Sequence, residues 1–138
     1  MALLKDQKLI IPIDFPKAFD VGDPYVARQI SLGELKEWEL APANPSFLVK
    51  KKITFAISSK GHKKPEDFWK HLHKAMEAGL SREEAIKALT SVPAEMLQVN
   101  DQLGDLSEGK LANFSVFDKD PFVFKNAKLY ESWSVGKK

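Results

Sequence analysis

The sequence predicts an α/β fold, in which short buried strands are interspersed with amphipathic helices. Residues 8–15 (KLIIPIDF) and 53–58 (ITFAIS) are short apolar runs, which is typical of strands buried in a parallel sheet. After the second run come two segments with helical periodicity, and beyond residue 100 the chain is rich in turns. The 138 residues could bury a core. They are too few for a complete eight-stranded α/β barrel, which needs about 250 residues.

The two predicted strands differ in how well their residues suit the interior of a sheet. Residues 53–58 are β-branched and aromatic and follow three lysines, which favours a buried strand. The first run contains Pro12, whose missing N–H favours an edge or the end of a strand. We therefore expect this run either to form an edge strand or to end near the proline.

Three helical segments are expected between these strands. Asp23-Pro24 combines a capping side chain with a proline at the first helical position. A second segment follows from the near-helical spacing of Leu32, Leu35 and Trp38. Asn44-Pro45 begins a third, which is expected to carry Phe47 and Leu48 toward the core. Trp38 either packs in the core or lines a substrate loop.

The clearest helix covers residues 65–78. Its apolar stripe has offsets of three and four, and Gly79 is a good stop signal; the stripe consists of Phe68, Leu72, Ala75 and Met76. Ser81 and Glu84 form a capping-box pattern that begins the next helix. Its predicted buried face consists of Ala85, Ile86 and Leu89. Pro93 ends or restarts this helix, and residues 94–99 are expected to add a further turn or two.

The residue composition changes near Asn100. Glycine and proline punctuate the remaining segments, and residues 111–117 and 129–135 are predicted strands joined by a turn-rich loop. The sequence therefore predicts a division into residues 1–100 and residues 101–138.

Composition excludes several classes of function. The chain has no cysteine, so disulfides, thiolate metal sites and a cysteine nucleophile are excluded. No apolar run approaches about 18 residues, so we expect a soluble protein without a membrane partner, whose compartment the sequence does not determine. The net charge is only +2, and the basic residues do not form one patch, so no nucleic-acid partner is expected.

Two stretches carry a family resemblance. GLSREEAIKALTSVPAEMLQV (79–99) and GDLSEGKLANFSVFDKDPF (104–122) resemble the end of amidohydrolase-superfamily proteins, especially the imidazolonepropionase-like and dihydroorotase-like branches. The resemblance implies the C-terminal fragment of a TIM-like metal-dependent hydrolase barrel (1–100), followed by short strands of an accessory sandwich, or composite, domain (101–138).

The resemblance also implies a chemistry for the parent protein. Such proteins hydrolyse a non-peptide carbon–nitrogen bond, in a cyclic or linear amide, with water activated by a divalent metal such as zinc. An aspartate that ends the last barrel strand helps to activate that water. The expected Ser-Asp-Gly is here Ser59-Lys60-Gly61, so Lys60 occupies the position of the catalytic aspartate. A protonated lysine can neither bind a cation nor act as a base.

Few other residues are candidates for a site. Asp14 ends the first strand and, with Lys60 and His62, could line one. His71 and His73 form a His-x-His pair, but inside a helix such residues diverge by roughly 200°. We therefore expect no catalytic residue, metal ligand or cofactor in this chain by itself, and no activity.

The expected partners are the missing N-terminal part of the parent chain, a small-molecule substrate of the parent, and further copies of the chain in a homo-oligomer. Two alternatives remain at this stage. Lys60 favours a non-catalytic homologue that serves as a structural or binding module. The lysines alone would support an anion-binding or nucleic-acid-binding module.

Overall fold

The computed structural model describes residues 7–137. Strands and helices within this range follow in chain order: β1 (Leu9–Pro12), α1 (Pro24–Gln29), α2 (Leu32–Leu40), a 3₁₀ turn (Ala41–Ala43), α3 (Asn44–Lys50), β2 (Phe55–Ser58), α4 (Pro65–Glu77), α5 (Arg82–Leu89), α6 (Ser91–Met96), β3 (Phe114–Phe117) and β4 (Leu129–Trp133). The predicted α/β class is confirmed.

Strands β1 and β2 pair in parallel, with Leu9 opposite Phe55 and Pro12 opposite Ser58. Pro12 is the last residue of β1, as its missing N–H predicts. The strand is shorter than the apolar run, because the chain leaves the ladder after this proline. Two parallel strands do not by themselves make a barrel, so the barrel and the accessory sandwich stay predictions.

The segment between these strands is mostly helical. Asp23 caps α1 by accepting a hydrogen bond from Tyr25 N at 2.8 Å, as predicted. Helix α2 begins with a complete capping box, which is not among the caps predicted from the sequence. Ser31 Oγ accepts from Glu34 N at 3.2 Å, and the Glu34 carboxylate accepts from Ser31 N at 2.8 Å.

Helix α3 begins at Asn44 as predicted, but one of its expected core residues is exposed. Leu48 packs against the core, whereas Phe47 is 46% exposed. The buried contact is made instead by Ser46, whose hydroxyl donates to Ala43 O at 2.8 Å and lies 3.3 Å from Ala78 O. Ser46 faces the end of α4, and Phe47, about 100° further round the helix, faces solvent.

Helix α4 supplies the centre of the core. Leu72 and Ala75 are fully buried, and Phe68 and Met76 pack beside them, so the predicted stripe is confirmed. Gly79 ends this helix with φ of +107°, a conformation that strongly favours glycine.

Helix α5 departs in detail from its prediction. Ser81 Oγ accepts from Glu84 N at 3.3 Å, but the Glu84 carboxylate approaches Lys87 Nζ at 3.5 Å. Only the serine half of the capping box therefore forms. The buried face consists of Ala85 and Ala88, while the larger Ile86 and Leu89 are half-buried at its margins. Helix α6 spans Ser91–Met96, so it begins before residue 94 and ends before residue 99, the two limits of the predicted range.

The remaining two strands form an antiparallel pair, in which the rings of Phe114 and Trp133 stack 5.7 Å apart. The end of β3 and the loop that follows it contact α4, where the Trp69 ring centroid lies 5.8 Å from that of Phe117 and 5.6 Å from that of Phe122. The β pair is thus docked on the helices. The division at residue 100 stays a prediction, and residues 1–6 and 138 of the two predicted ranges lie outside the described residues.

Candidate functional site

The parallel strands end at one edge of the structure, and the polar side chains of interest follow those ends. Asp14 lies two residues beyond β1, and Lys60 lies two residues beyond β2. Since alternate residues of a strand share a face, both positions continue the face of β1 and β2 that turns away from the helical core. That face is lined by Ile10, Pro12, Asp14, Ser58, Lys60 and Gly61, which surround an open cavity of about 500 Å³.

Gly61 allows the loop after β2 to close on Asp14. Its φ is +98°, and a Cβ atom at this position would overlap the Asp14 carboxylate. The same turn is held by Ser58 Oγ, which accepts from Lys60 N at 3.1 Å, and by His62 N, which donates to Ser59 O at 3.2 Å. The tight turn brings His62 next to the end of β1.

A second cavity, of about 600 Å³, opens on the other side of Asp14. Its wall is formed by the segment after β1, by α2, by the loop after β2 and by α4, with Asp14, Phe15, Pro16, Lys17, Ala18, Trp38, Gly61, His62, Lys63, Asp67, His71 and Lys74. Trp38 therefore lies on a cavity wall, 37% exposed, and does not belong to the core cluster.

Asp14, His62 and His71 meet on the wall of the second cavity. One potential ligand atom from each lies within 4.8 Å of the others. The rings of His62 and His71 are edge to face, 4.9 Å apart, and Asp14 Oδ1 is 3.9 Å from His71 Nδ1. The structure thus joins two site-lining residues predicted from the sequence to one that was not.

Backbone contacts hold the His71 ring. Its Nδ1 lies 3.2 Å from Phe15 N, which can donate to it, and 2.9 Å from Ile13 O, which can accept from it. Either neutral tautomer therefore finds a partner at the end of β1. The ring also stacks on Phe15 at 5.4 Å. These contacts orient the imidazole without help from a ligand.

His62 carries an unsatisfied atom. Its Nε2 is buried and has no hydrogen-bond partner in the described part of the chain. Leaving a buried polar atom without a partner costs about 1–3 kcal/mol. Such an atom is available to a water molecule or a cation.

Two other positions fit a metal less well. Lys60 is exposed, and its ammonium has no lone pair to offer, so the position expected to hold aspartate supplies no ligand. His73 is 8% exposed and lies outside the group of potential ligands that the structure describes. The His-x-His spacing therefore pointed to the wrong partner for His71. The sequence carried no signal that the nearest ligands would be Asp14 and His62.

Comparison with known proteins identifies the family. The amidohydrolase family matches residues 62–135, which is more than half of the chain. The chain belongs to the amidohydrolase family. The matched range begins at His62 and includes α4, α5, α6 and both antiparallel strands. Members of this family are generally metal-dependent, and the two imidazoles and the carboxylate of His62, His71 and Asp14 suit a divalent cation.

A solved structure agrees with this assignment. The chain is similar to the crystal structure of an amidohydrolase from Thermotoga maritima MSB8, with 25% sequence identity and a TM-score of 0.63. The similarity covers 70% of this chain and 25% of the Thermotoga protein, so this chain spans about a quarter of that protein's length. No curated protein matches the sequence. None of the helices in residues 7–137 has the length and apolar character needed to cross a membrane.

Proposed function

We propose that this amidohydrolase-family chain is the C-terminal part of an enzyme that hydrolyses a non-peptide carbon–nitrogen bond in a cyclic or linear amide. The observation that supports it most directly is the family match over residues 62–135, next to two parallel strands whose ends carry Asp14 and Lys60. A bound divalent cation such as zinc supplies activation of water in such enzymes. Asp14, His62 and His71 are the residues of this chain that could hold one.

The chain's own residues then have limited roles. Asp14 and Lys60 line the open face where a substrate of a complete barrel would lie, and Lys60 offers a positive charge to an anionic group. Neither is assigned as a general base, because an ammonium group has no lone pair to accept a proton and Asp14 lies in the cluster with His62 and His71. In this proposal the isolated chain is inactive, and the complete protein supplies the remaining catalytic groups.

An assay of the longer protein and of the 138-residue chain tests the proposal. Both are offered a panel of cyclic and linear amides in the presence of zinc. We expect hydrolysis by the longer protein, its loss on treatment with a chelator, and no turnover by the chain alone. Turnover by the chain alone, or none by either, contradicts the proposal.

A second candidate function is that of a non-catalytic homologue, which acts as a structural or binding module. Lys60 at the position of the expected aspartate favours it. The Lys60→Asp variant of the longer protein distinguishes the two. Activity that appears only in Lys60→Asp supports a module that has lost its base, whereas activity in the natural sequence supports the enzyme.

We also propose that the open face of β1 and β2 is covered by the N-terminal part of the parent chain or, in the isolated chain, by further copies in a homo-oligomer. Ile10, in the middle of β1, is 70% exposed, and apolar strand surfaces of this kind promote pairing with other chains. Light scattering at several concentrations tests this. A mass that rises with concentration, and falls in Ile10→Lys, supports it; a monomer at every concentration contradicts it.

A further inference from the structure

We infer that Asp14, His62 and His71 form a divalent-cation site of this chain itself, with zinc as the preferred metal. This inference does not rest on the proposed hydrolysis, because it concerns binding alone. It reverses the expectation from the sequence that the chain carries no metal ligand. The main observation is that three potential ligand atoms, from three separate segments of the chain, lie within 4.8 Å of one another.

The unsatisfied Nε2 of His62 is the second, independent observation. A buried imidazole nitrogen without a partner in the described chain is destabilising unless something binds it. The neighbouring aromatic ring of Phe68, 5.8 Å away and edge-on, provides no strong acceptor or donor. A cation between His62, His71 and Asp14 would satisfy this nitrogen and balance the carboxylate.

The surroundings orient the three ligands in advance. The ring of His71 is held by the backbone of Ile13 and Phe15, which resembles the outer contacts that orient metal-bound histidines. Gly61 admits the Asp14 carboxylate where any side chain would collide with it. In a tetrahedral zinc site with bonds of about 2.0–2.1 Å, ligand atoms lie roughly 3.4 Å apart. Small side-chain rotations therefore suffice to close the site.

The chemistry of the ligands selects the metal. Two imidazoles and one carboxylate suit zinc, whereas magnesium and calcium prefer oxygen ligands only. Three protein ligands would leave a fourth position open, and all three residues line the cavity of about 600 Å³, from which water can enter. Lys63 and Lys74 on that cavity wall reduce the attraction for cations, and Asp67 offsets part of this effect. We therefore expect binding that is selective for zinc over magnesium.

Calorimetric titration of the metal-free 138-residue chain with zinc chloride, and then with magnesium chloride, tests the inference. The expected result is one zinc per chain and no measurable heat from magnesium. Replacing zinc with cobalt should produce visible absorption bands with the intensity of a four-coordinate site. Absence of zinc binding, binding of magnesium instead, or cobalt spectra of a purely six-coordinate ion would overturn the inference.

Variants locate the site. His62→Gln and Asp14→Asn preserve size and should each weaken zinc binding by about 100-fold or more, since outer-shell changes alone cost up to about that much. His71→Asn keeps an acceptor for Phe15 N and should do the same. Asp67→Asn, which removes a charge from the same cavity wall but no ligand, is the matched control and should weaken zinc binding far less than the three ligand variants. Circular dichroism of each metal-free variant verifies folding. Zinc affinity retained in folded His62→Gln and Asp14→Asn would show that the metal binds elsewhere, which overturns the assignment.

Discussion

The two regions of the molecule are built differently. In residues 7–99 the parallel strands and helices enclose a core, and every buried apolar side chain in the described structure lies at or before Ala94. In residues 100–137 the apolar side chains are exposed or half-buried, with Leu106 at 75% and Tyr130 at 77% exposure. The first region therefore has a hydrophobic core of its own, and the second depends on contacts with the first.

Those contacts include aromatic packing and ion pairs. Trp69 of α4 meets two phenylalanine rings of the second region, and the Arg82 guanidinium pairs with the Asp120 carboxylate at 2.7 Å. Desolvation raises the pKa of Asp120, but the hydrogen bond from Phe122 N and the charge of Arg82 lower it by more. Loss of these docking contacts should therefore release the second region without unfolding the first.

The largest expected effect comes from the core of the first region. Leu72→Ala should reduce the free energy of unfolding by about 2–5 kcal/mol, because it leaves a cavity in a fully buried position. Urea unfolding measures the change. Leu106→Ala in the second region is the matched control and should cost under about 0.5 kcal/mol, since Leu106 is 75% exposed. Equal losses from the two variants would remove the distinction between the regions.

The docking contact should have a smaller and more local effect. Trp69→Ala is expected to cost about 2 kcal/mol, below the roughly 3–5 kcal/mol of a fully buried ring, because Trp69 is half-buried. Hydrogen exchange should show faster exchange in β3 and β4, with protection retained in β2 and α4. Lys70→Ala, next to it on α4 and exposed, is the control. Uniform loss of protection in both regions would indicate a single cooperative unit.

Two helix caps in the first region test whether α5 and α2 contribute equally to its core. Ser81→Ala should cost about 1 kcal/mol of global stability, because α5 contributes the buried Ala85 and Ala88. Ser31→Ala removes a complete capping box, but α2 has no buried residue, so its effect should be confined to fraying of α2. Chemical denaturation measures the first effect, and amide exchange in α2 measures the second. A global loss from Ser31→Ala as large as that from Ser81→Ala would show that α2 is part of the core unit.

The smallest effect concerns pH and the turn in the second region. The hydrogen bond from Lys110 Nζ and those from Ser107 lower the pKa of Asp105 from 3.8 to about 2. Because the folded pKa is lower than the unfolded value, the turn is fully stabilised above about pH 4 and loses this stabilisation as the pH falls toward 2. An NMR titration of the Asp105 carboxyl should give the low value. A midpoint near 3.8, or a titration unchanged by Lys110→Ala, would contradict the assigned contact.

Local patterns were sufficient for most of the secondary structure. Caps and breakers act within a few residues, so Asp23, Gly79 and Ser81 could be placed from spacing alone, as could the apolar stripe of α4. The family could be recognised for the same reason, because its signature lies in contiguous stretches around α5 and the turn that follows. The assignment of Phe47 to the core was wrong because the spacing of α3 does not show which side meets α4.

The candidate site was decided by the tertiary structure. Asp14 and His62 could be selected from the sequence, since each follows a predicted strand, and parallel strands end at one edge. His71 could not, because its position in a helix says nothing about the loops that this helix crosses. Only the packing of α4 beneath the end of β1, together with the positive φ of Gly61, brings the third ligand to the other two. Contacts between residues that are distant in sequence depend on the whole fold, and no local spacing encodes them.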